Sequence, residues 1–483
     1  MRAVTNGNLN ERRTRDVSGI DGKAVIHVGH NIDSLRAMPA QSVHCVVTSP
    51  PYWGLRAYGT DPQVWGGEPS CSHEFDDLGI RHMGGPQGAG GDRAGRDVSG
   101  QNSARRIAMG ESCGRCGAWR GELGSEPTPQ MFVAHLVEVF AEVHRVLRDD
   151  GTCWINLGDS YSGSGKGGGG SFQRDGMCHS AGTVKRTPLP PKNLIGIPWR
   201  VALALQDWGW ILRSDIIWHK PNPMPFSVTD RPSTSHEYLF LMVKKPRYFY
   251  DHVAVREIAS AKTLSVNTTP TKGAGVESAG EKLNRWMEAN GGRYHPETRN
   301  LRTVWKIASQ PYREAHYATF PPRLVEPCIK AGTSERGCCP HCGAPWRRLI
   351  QRQRVPTRPG NNSKVYADPV GSPCERHNGT IVGNRDPQRH ITRIVTTGWQ
   401  PTCKCPEHEP VPCVVLDPFG GSGATAVMAE HLERRWVLCE LNAEYAAMAD
   451  RRIAAGYRPS KSKACRKKSH RVDVARRLFP VGD

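Results

Sequence analysis

The sequence predicts an α/β fold in which the strands of a largely parallel sheet alternate with helices. Two apolar segments near its start, KAVIHVGH and SVHCVVTSP, have the composition of strands buried inside such a sheet. A third buried-strand pattern, VVLDPFGGSGAT, ends in a Gly-rich turn and leads into the helical segment ATAVMAEHL. Strand, Gly-rich turn and helix in this order are typical of doubly wound α/β proteins.

The other elements follow from hydrophobic periodicity. Apolar residues at helical spacing predict a helix in TPQMFVAHLVEVFAEVHRVL, another over residues 194–207 and a third from Glu444. Apolar runs predict strands in TCWINLG, WILRSDIIWHK, EYLFLMVKKPRYFY and RWVLCEL. The periodicity fades between residues 252 and 311 and between residues 347 and 410, so irregular structure is predicted there.

Composition and charge exclude several classes of protein. The 483 residues carry a net charge of +19, and this excess favours a nucleic-acid partner over a merely solvated basic surface. Mean hydropathy is −0.54, and no apolar run reaches the ~20 residues that span a bilayer. The first residues lack the apolar core of a secretory signal. We therefore expect no membrane association and a cytoplasmic location, in a bacterium or, for a phage gene, in its host.

The Gly-rich turn is suited to a ligand that approaches the backbone closely. Its glycines carry no side chains to obstruct such a ligand, and Glu440 ends a strand about 20 residues further on, where a carboxylate can accept hydrogen bonds from ribose hydroxyls. This combination favours a nucleoside-containing cofactor over glycines that are present for steric reasons alone. An adenosyl ligand would fit, with its amino-acid end near the first residues of the turn. The residues expected to hold it are Asp417, Phe419, Gly420, Gly421, Gly423 and Glu440.

The strand SVHCVV ends in the segment TSPPYW, which has the groups needed to hold an amino group. Two prolines fix the backbone and remove two N–H donors, leaving carbonyls that face whatever lies beyond the strand. Ser49 offers a hydroxyl, and Tyr52 or Trp53 offers a ring face that could stack on a base. Taken alone, the segment is more typical of a rigid turn whose aromatic rings pack into the core.

Several motifs in a fixed order resemble the amino-group DNA methyltransferases, the N4-cytosine and N6-adenine family. TSPPYW resembles the family's catalytic tetrapeptide, DPFGGSGAT its cofactor motif and ELNAEY its ribose-binding strand end. The catalytic motif precedes the cofactor motif, as in the permuted beta group. GWILRSDIIWHKPNPMP and SHEYLFLMVKKPRYFYD resemble the strands around the target base, and HYATFPPRLVEPCIKAG the motif that closes the methionine end of the cofactor site. The resemblance covers roughly residues 23–80, 125–251 and 312–457.

The resemblance implies a Rossmann-like, S-adenosylmethionine-dependent methyltransferase fold acting on double-stranded DNA. It implies a cognate restriction endonuclease as a candidate partner. The implied catalytic residues are Ser49, Pro50, Pro51 and Tyr52. Phe320 joins the cofactor-binding residues named above, and the implied target-base pocket comprises Trp53, Trp218, Lys220 and Asn222.

Two residues bear on how closely the family pattern is followed. The family often has an acidic residue where this chain has His30, so one contact to the cofactor's adenine is not carried over. Ser49 favours cytosine N4 as the target, since adenine enzymes mostly have Asp there. Hydrogen bonds from the amine to Ser49 and to the Pro50 carbonyl would expose its lone pair for direct, in-line transfer. The base would be flipped out of the duplex and stacked on Tyr52.

Two cysteine motifs predict structural zinc sites. Each C-x-x-C-G segment is a turn that aims two thiolates at one metal, and each has a second pair of candidate ligands elsewhere in the chain. Sixteen cysteines without a secretory signal should remain reduced, and a redox role would require a thioredoxin-like context. Cys338 is an alternative to Cys339. The predicted ligand sets are Cys71, His73, Cys113 and Cys116, and Cys339, Cys342, Cys403 and Cys405.

These motifs predict one methyltransferase domain interrupted by insertions. Its catalytic half comprises residues 21–65 and 121–251, and its cofactor-binding half comprises residues 312–335 and 411–457. Zinc-knuckle insertions occupy residues 66–120, with a flexible Gly-rich loop, and 336–410. A small target-recognition region is expected at residues 252–311, with a disordered N-terminus at 1–20 and a basic tail at 458–483.

Three other functions are compatible with parts of the pattern. An adenine N6 methyltransferase would keep the same fold and mechanism. A zinc-containing DNA-binding protein with an inactive methyltransferase core would keep the charge and the cysteines, but the intact motif residues argue against it. A small-molecule methyltransferase explains neither the charge nor the basic middle region. The recognition sequence and the oligomeric state are not encoded in any motif.

Overall fold

The computed structural model describes residues 24–54, 60–75, 111–162, 189–223, 225, 228–258, 297–310, 312, 314, 320–356 and 390–458. The predictions for the N-terminus, the Gly-rich loop of the first insertion, most of residues 252–311 and nearly all of the basic tail lie outside these residues. Within the described chain, no helix is long and apolar enough to cross a membrane.

Strands and helices alternate along the described chain, largely in the predicted order. The strands are β1 (Val25–Val28), β2 (Val43–Thr48), β3 (Gln63–Trp65), β4 (Glu111–Ser112), β5 (Trp119–Gly121), β6 (Leu147–Leu157), β7 (Ile211–His219), β8 (His236–Val243), β9 (Glu257–Ile258), β10 (Thr298–Arg299), β11 (Val304–Lys306), β12 (Arg347–Pro356), β13 (His390–Gln400), β14 (Val414–Asp417) and β15 (Arg435–Glu440). The helices are α1 (Asn31–Arg36), α2 (Pro129–Val146), α3 (Ile197–Trp208), α4 (Pro322–Gly332), α5 (Ala424–His431) and α6 (Ala443–Ala454).

An eight-stranded sheet in the order β1-β15-β14-β2-β6-β8-β7-β11 forms the body of the molecule. Only β8 runs antiparallel to its neighbours β6 and β7, and the other pairings within this sheet are parallel. Helices α1, α2 and α3 pack on one face of the sheet, and α4, α5 and α6 pack on the other. Each face of the sheet has its own hydrophobic core. The predicted α/β methyltransferase fold is confirmed.

The connections of β2 and β14 determine where a ligand can bind. These two strands are neighbours in the sheet, yet the next helix of the main body after β2 is α2 on one face, whereas β14 is followed by α5 on the other. Chains that leave adjacent parallel strands toward opposite faces open a crevice at the carboxyl ends of those strands. The segment TSPPYW follows β2 and the Gly-rich turn follows β14, so both border this crevice.

Local sequence explains where the helices begin. The Thr128 hydroxyl accepts a hydrogen bond from the Met131 N–H at 3.2 Å, and Pro129 occupies the first turn of α2. Helix α3 begins at Ile197, later than predicted, because Gly196 has a φ of +77° that a helix cannot include. Asp159 lies just beyond the end of β6, and its carboxylate accepts hydrogen bonds from the N–H groups of Gly196 and Ile197. It thereby caps the start of α3.

The structure corrects the sequence prediction in three places. Strand β8 ends at Val243, so the final part of EYLFLMVKKPRYFY is not a strand. The region 252–311 supplies β11, which extends the main sheet by pairing with β7. The region 347–410, predicted to be irregular, contains the long antiparallel pair β12–β13.

Candidate active site and metal centres

One cleft at the carboxyl ends of the central strands brings the two predicted motifs together. The four residues 49–52, called here the catalytic corner, line one part of it, and residues 418–422 of the Gly-rich turn, called the cofactor loop, line another. These segments are more than 360 residues apart in the chain and meet only because β2 and β14 are adjacent. The other predicted residues that line the cleft are Glu440, Phe320, Trp218 and Lys220.

The cofactor loop needs its glycines for close packing and for its backbone path. A Cβ atom on Gly420 would lie 3.1 Å from the Leu438 Cβ, and one on Gly423 would lie 2.9 Å from the Ala449 Cβ. Gly421 and Gly423 have φ values of +49° and +75°, a conformation that residues with side chains rarely adopt. The loop therefore lies directly against β15 and α6, with an open backbone toward the cleft.

Glu440 fixes the cofactor loop and faces the cleft. Its carboxylate accepts hydrogen bonds from the Gly421 N–H at 2.7 Å and from the Asn442 N–H at 2.9 Å. Burial raises the pKa of this carboxyl above its usual value, although these N–H groups oppose the shift. Each oxygen retains a lone pair, so the carboxylate can still accept hydrogen bonds from ribose hydroxyls.

Asp417 lies behind the loop and does not line the cleft. One carboxylate oxygen accepts a hydrogen bond from the Thr48 hydroxyl at 2.6 Å and the other from the Thr425 hydroxyl at 2.8 Å. The Phe419 N–H also donates to this carboxylate, at 3.0 Å. Burial raises the pKa of Asp417 to about 6. Its observed role is to join the end of β2 to the start of α5.

Two buried polar atoms beside the loop fit a polar ligand. Within the described chain, the His30 Nε2 and the Asn31 Oδ1 have no hydrogen-bond partner, and both residues line the cleft. Burial lowers the pKa of His30, so its ring is neutral at pH 7. Unsatisfied buried polar atoms cost about 1–3 kcal/mol each, and a nucleoside or amino-acid group in the cleft could satisfy them. His30 and Asn31 are thus additions to the predicted cofactor site.

A hydrogen-bond network orients the catalytic corner. The Asn156 Nδ2 donates to the Tyr238 carbonyl at 3.0 Å, which turns its Oδ1 toward the corner. That oxygen accepts a hydrogen bond from the Ser49 hydroxyl at 3.3 Å and lies 2.9 Å from the Tyr52 hydroxyl, whose single proton it shares with the Glu237 carboxylate. The Tyr52 ring lies on the backbone of Gly158, where a Cβ atom would approach the ring to 2.5 Å.

Charged groups complete the far side of the cleft. The Glu237 carboxylate accepts a hydrogen bond from the Tyr52 hydroxyl at 2.9 Å and is paired with the Lys220 ammonium group. The Lys220 Nζ also lies 4.3 Å from the centroid of the Trp218 ring, a cation–π contact. The Trp218 N–H donates to the Ile307 carbonyl at 2.8 Å, so this ring is both a core residue and part of the cleft.

Two predicted pocket residues lie elsewhere. Trp53 is 2% exposed and packs in the core, with its N–H donated to the Glu126 carbonyl at 2.9 Å. Asn222 is on the surface, where its side chain accepts from the Ser309 N–H at 3.1 Å and donates to the Ser309 carbonyl at 3.3 Å. It holds Ser309, which does line the cleft.

Sequence reasoning missed Asn156 and Glu237. Each is a polar residue in a strand whose other residues are mostly apolar, TCWINLG for Asn156 and HEYLFLMV for Glu237. A polar side chain near the end of a buried strand is a signal that could have found them, because the interior would otherwise penalise it.

The first predicted metal site is assembled at the cleft's outer wall. The four predicted ligand atoms lie within 4.8 Å of one another, with the Cys71 and Cys113 sulfurs 4.0 Å apart and the Cys116 sulfur 3.3 Å from the His73 Nδ1. Tetrahedral zinc with bonds of about 2.3 Å to sulfur places two thiolates about 3.8 Å apart. The donor set and spacing therefore fit zinc.

The second predicted site has the same construction. Its four ligand atoms also lie within 4.8 Å of one another. In both sites the N–H after the second cysteine donates to the carbonyl of the first, from Gly117 to Cys113 at 3.0 Å and from Gly343 to Cys339 at 2.9 Å. The chain's two C-x-x-C-G segments thus form the same turn. These two sites are called the first and second knuckles. The second is formed by Cys339, Cys342, Cys403 and Cys405.

A third cluster, formed by His44, Cys338 and Cys413, lacks a free ligand nitrogen. The His44 Nδ1 accepts from the Val414 N–H at 3.1 Å, which places the ring proton on Nε2, 2.9 Å from the Gly343 carbonyl. With both nitrogens used, this buried cluster does not fit a metal. Cys338 belongs to it, and the second knuckle uses Cys339.

The comparisons with known proteins agree with this geometry. The sequence model of the N6/N4 family, described as DNA methylase, matches residues 43–339 and 387–451. The chain belongs to this family of DNA methylases. It is 37% identical to the Type II methyltransferase M.XycI of Xanthomonas campestris pv. cyanopsidis over 307 residues, 63% of this chain and 71% of that protein. It is 29% identical to M.SmaI of Serratia marcescens over 434 residues, 89% of this chain and 90% of that protein.

Solved structures are more distant from this DNA methylase. The PvuII cytosine-N4-specific DNA methyltransferase shares 14% identity, covers 92% of this chain and 90% of its own, and has a TM-score of 0.40, too low to carry an argument. The family membership identifies an S-adenosylmethionine-dependent DNA amino-methyltransferase. Which amino group it methylates is a separate question.

Proposed function

We propose that this DNA methylase transfers a methyl group to the exocyclic N4 amine of a cytosine flipped out of duplex DNA. The observation that carries the proposal is the single cleft that joins the Ser49 corner to the cofactor loop. S-Adenosylmethionine supplies an electrophilic sulfonium methyl group when bound, and the residues that would hold it are Glu440, Asn31, His30, Phe320 and the backbone of residues 419–421.

Ser49 can act as a hydrogen-bond acceptor for the target amine. Its hydroxyl proton has an acceptor in the Asn156 Oδ1, which leaves the lone pairs of Oγ free to accept an amine N–H. The Pro50 carbonyl is a second acceptor at the same corner. Two such hydrogen bonds favour a tetrahedral amine whose lone pair points away from the corner. Positioning of this kind would let the N–C bond form as the methyl–sulfur bond breaks, and the methylated amine then releases its extra proton to water, so no general base is needed before the transfer.

The charged side of the cleft supports cytosine over adenine. Beside its amine, cytosine has two acceptors in a row, N3 and O2, whereas adenine has N1 followed by an apolar C2–H group. Lys220 carries three N–H donors and is anchored near Tyr52 by Glu237. An N–H donor at this place stabilises a base that has a second acceptor beyond the one next to its amine, which cytosine has and adenine lacks. Tyr52, backed by Gly158, supplies the stacking face.

The product of the reaction tests the proposal. Purified protein is incubated with unmethylated plasmid DNA and isotopically labelled S-adenosylmethionine, and the nucleosides are identified by mass spectrometry. We expect N4-methylcytosine, and we expect Ser49→Ala to lower the rate about 100-fold or more while cofactor binding is retained. N6-methyladenine would establish the adenine alternative and contradict the argument from Ser49 and Lys220. Cofactor binding without methyl transfer to any DNA would favour an inactive methyltransferase core.

The genetic context follows from the relatives' names. M.XycI and M.SmaI are called Type II methyltransferases, which supports a restriction–modification system as the setting for this chain. A cognate restriction endonuclease would then share its recognition sequence, and methylation by this chain should protect DNA from that enzyme.

Both knuckles would hold structural zinc. Four thiolate or imidazole ligands leave no open position for substrate, which is typical of structural zinc. Metal analysis should therefore find about two zinc ions per chain. Cys113→Ser and Cys342→Ser should each remove one, whereas His44→Gln in the third cluster should remove none. If the wild type holds only one zinc ion and each cysteine variant loses it, the two knuckles are not independent metal sites.

A further inference from the structure

The ribbon formed by β12 and β13 is a basic surface with no role in the cleft. Its strands contain five arginines and no aspartate or glutamate. The ladder is continuous from the Arg347–Gln400 pair to the Pro356–His390 pair, with one irregularity beside Leu349. Arg348 and Arg393 are paired with carboxylates of neighbouring segments, and the exposed arginine at the base of the ribbon, Arg347, favours a polyanionic partner.

One face of the ribbon is open. Side chains alternate between the two faces of a strand, and directly paired residues share a face. The face that carries Arg348 and Trp399 packs inward at this end of the ribbon, with the guanidinium 4.3 Å from the indole centroid and in ion pairs with Asp251 and Glu335. Ile350 and Arg352, further along the same face, are exposed. The opposite, open face carries exposed side chains along its length. Its exposed members include Arg347, Leu349, Gln351, Gln353, Arg393 and Gln400.

The second knuckle attaches the base of the ribbon to the catalytic sheet. Cys342 is followed within five residues by β12, and Cys403 follows β13 within three. The Arg148 guanidinium of β6 donates to the Cys342 carbonyl at 2.7 Å, and the His44 ring of β2 donates to the Gly343 carbonyl at 2.9 Å. The two strands that hold this base also carry Ser49 and Asn156 at or beyond their other ends, so the ribbon has a fixed orientation relative to the active site.

The far part of the ribbon contacts the region that leads into the cleft. The Glu297 N–H donates to the Thr392 carbonyl at 3.0 Å, and the Glu297 carboxylate pairs with Arg393 at 2.8 Å. From Glu297 the chain continues through β10 and β11 to Ser309, which lines the cleft. The ribbon and the described residues 297–309 of the region expected to recognise the target therefore form one connected surface.

We propose that the open face of this ribbon enters a groove of the DNA substrate and helps to select the target sequence. A two-stranded β-ribbon fits the major groove of B-DNA, and glutamine and arginine side chains are suited to hydrogen bonds with base edges. Gln351 and Gln353 are placed to read bases, and Arg347 to contact a base or a phosphate. This inference rests on the proposed action on duplex DNA, and it adds residues outside 252–311 to the recognition surface.

Paired substitutions test the ribbon against matched controls. We expect Gln351→Ala/Gln353→Ala to lower methylation at the preferred sequence about tenfold or more and to relax that preference. The control Gln206→Ala removes an exposed amide from α3, which is not part of the ribbon. It should change neither the methylation rate nor the sequence preference. We expect Arg347→Ala to weaken DNA binding and to reduce the slope of log affinity against log salt by about one, the value for one lost phosphate contact. Its control is Arg36→Ala on α1.

The outcomes separate this inference from the proposed function. DNA affinity is measured by fluorescence anisotropy with a labelled duplex, sites are mapped by sequencing, and thermal unfolding and zinc content are compared with the wild type. A wild type that methylates, with ribbon variants equal to their controls, would overturn the ribbon inference alone. A wild type that binds DNA through the ribbon without methylating it would overturn the proposed function alone. A wild type that does not bind duplex DNA would overturn both.

Discussion

The two knuckles have the same local construction but support different parts of the enzyme. In each, two cysteines flank a turn of the same hydrogen-bond pattern, and a second pair of ligands comes from a distant segment. The first knuckle leads into β5 and the cleft wall, whereas the second leads into the ribbon. A knuckle of this kind by itself therefore specifies a closed loop, and the function of that loop depends on where it is attached.

The first knuckle is connected to the catalytic corner through β5. Trp65 and Trp119 each stack on His135 with centroids 5.5 Å apart, and Trp65 lines the cleft. The His135 ring is held by the Glu126 carboxylate at 3.0 Å, and the Glu126 carbonyl accepts the Trp53 N–H. The first knuckle and the cleft wall are thus linked by contiguous aromatic contacts and hydrogen bonds. No ligand of either knuckle lines the cleft itself, and the ribbon to which the second knuckle leads also contributes no described residue to it.

The largest expected effect is the loss of the first knuckle. Cys113→Ser/Cys116→Ser should release one zinc, disorder the wall that contains Trp65 and lower methyl transfer about 100-fold or more, because displacement by about 1 Å is enough for such a loss. Cofactor affinity should fall with it, as measured by calorimetry. Arg115→Ala changes the exposed residue between the two cysteines and should keep zinc and activity. Full activity without this zinc would show that the wall is stable without the knuckle.

Loss of the second knuckle should separate DNA binding from cofactor binding. Cys342→Ser should release the other zinc and weaken DNA affinity about tenfold, since the ribbon loses its base, while cofactor affinity stays within about twofold of wild type because the cleft keeps all its residues. The matched control is Lys404→Arg, which keeps the charge between two ligands. Equal losses of cofactor and DNA affinity would mean that the two knuckles do not have separate functions.

The third expected effect is on stability and concerns Asp417, which contacts neither knuckle. Burial raises its pKa from 3.8 to about 6. Between about pH 4 and 6 the native state therefore keeps a proton that the unfolded chain has already released. The free energy of unfolding should fall by roughly 3 kcal/mol over that interval as pH rises. Asp417→Asn should remove this slope in denaturant unfolding measured at several pH values, and both knuckle variants should retain it. An unchanged slope in Asp417→Asn would assign the effect to another group.

Local patterns predicted the elements whose side chains are buried. Strand β2 is buried along its whole length, and its run of apolar residues was sufficient to place it inside the sheet. The ribbon was missed because its arginines and glutamines give no apolar alternation, and its strands are separated by more than 30 residues. Its pairing is held by a knuckle and by ion pairs to Asp251, Glu297 and Glu335, which are contacts between distant parts of the chain.

The sequence by itself determined the α/β class and the two motifs that meet in the cleft, because each depends on residue types at short, fixed spacings, and it predicted both sets of four candidate metal ligands. Only the tertiary structure decided which aromatic ring faces the cleft. Trp53 and Trp218 are both in suitable motifs, but Trp53 is enclosed by the wall that Glu126 supports, while Trp218 borders the cleft beside Lys220. The same holds for Asn156 and Glu237, whose roles arise from a hydrogen-bond network across three strands, and no local spacing encodes such a network.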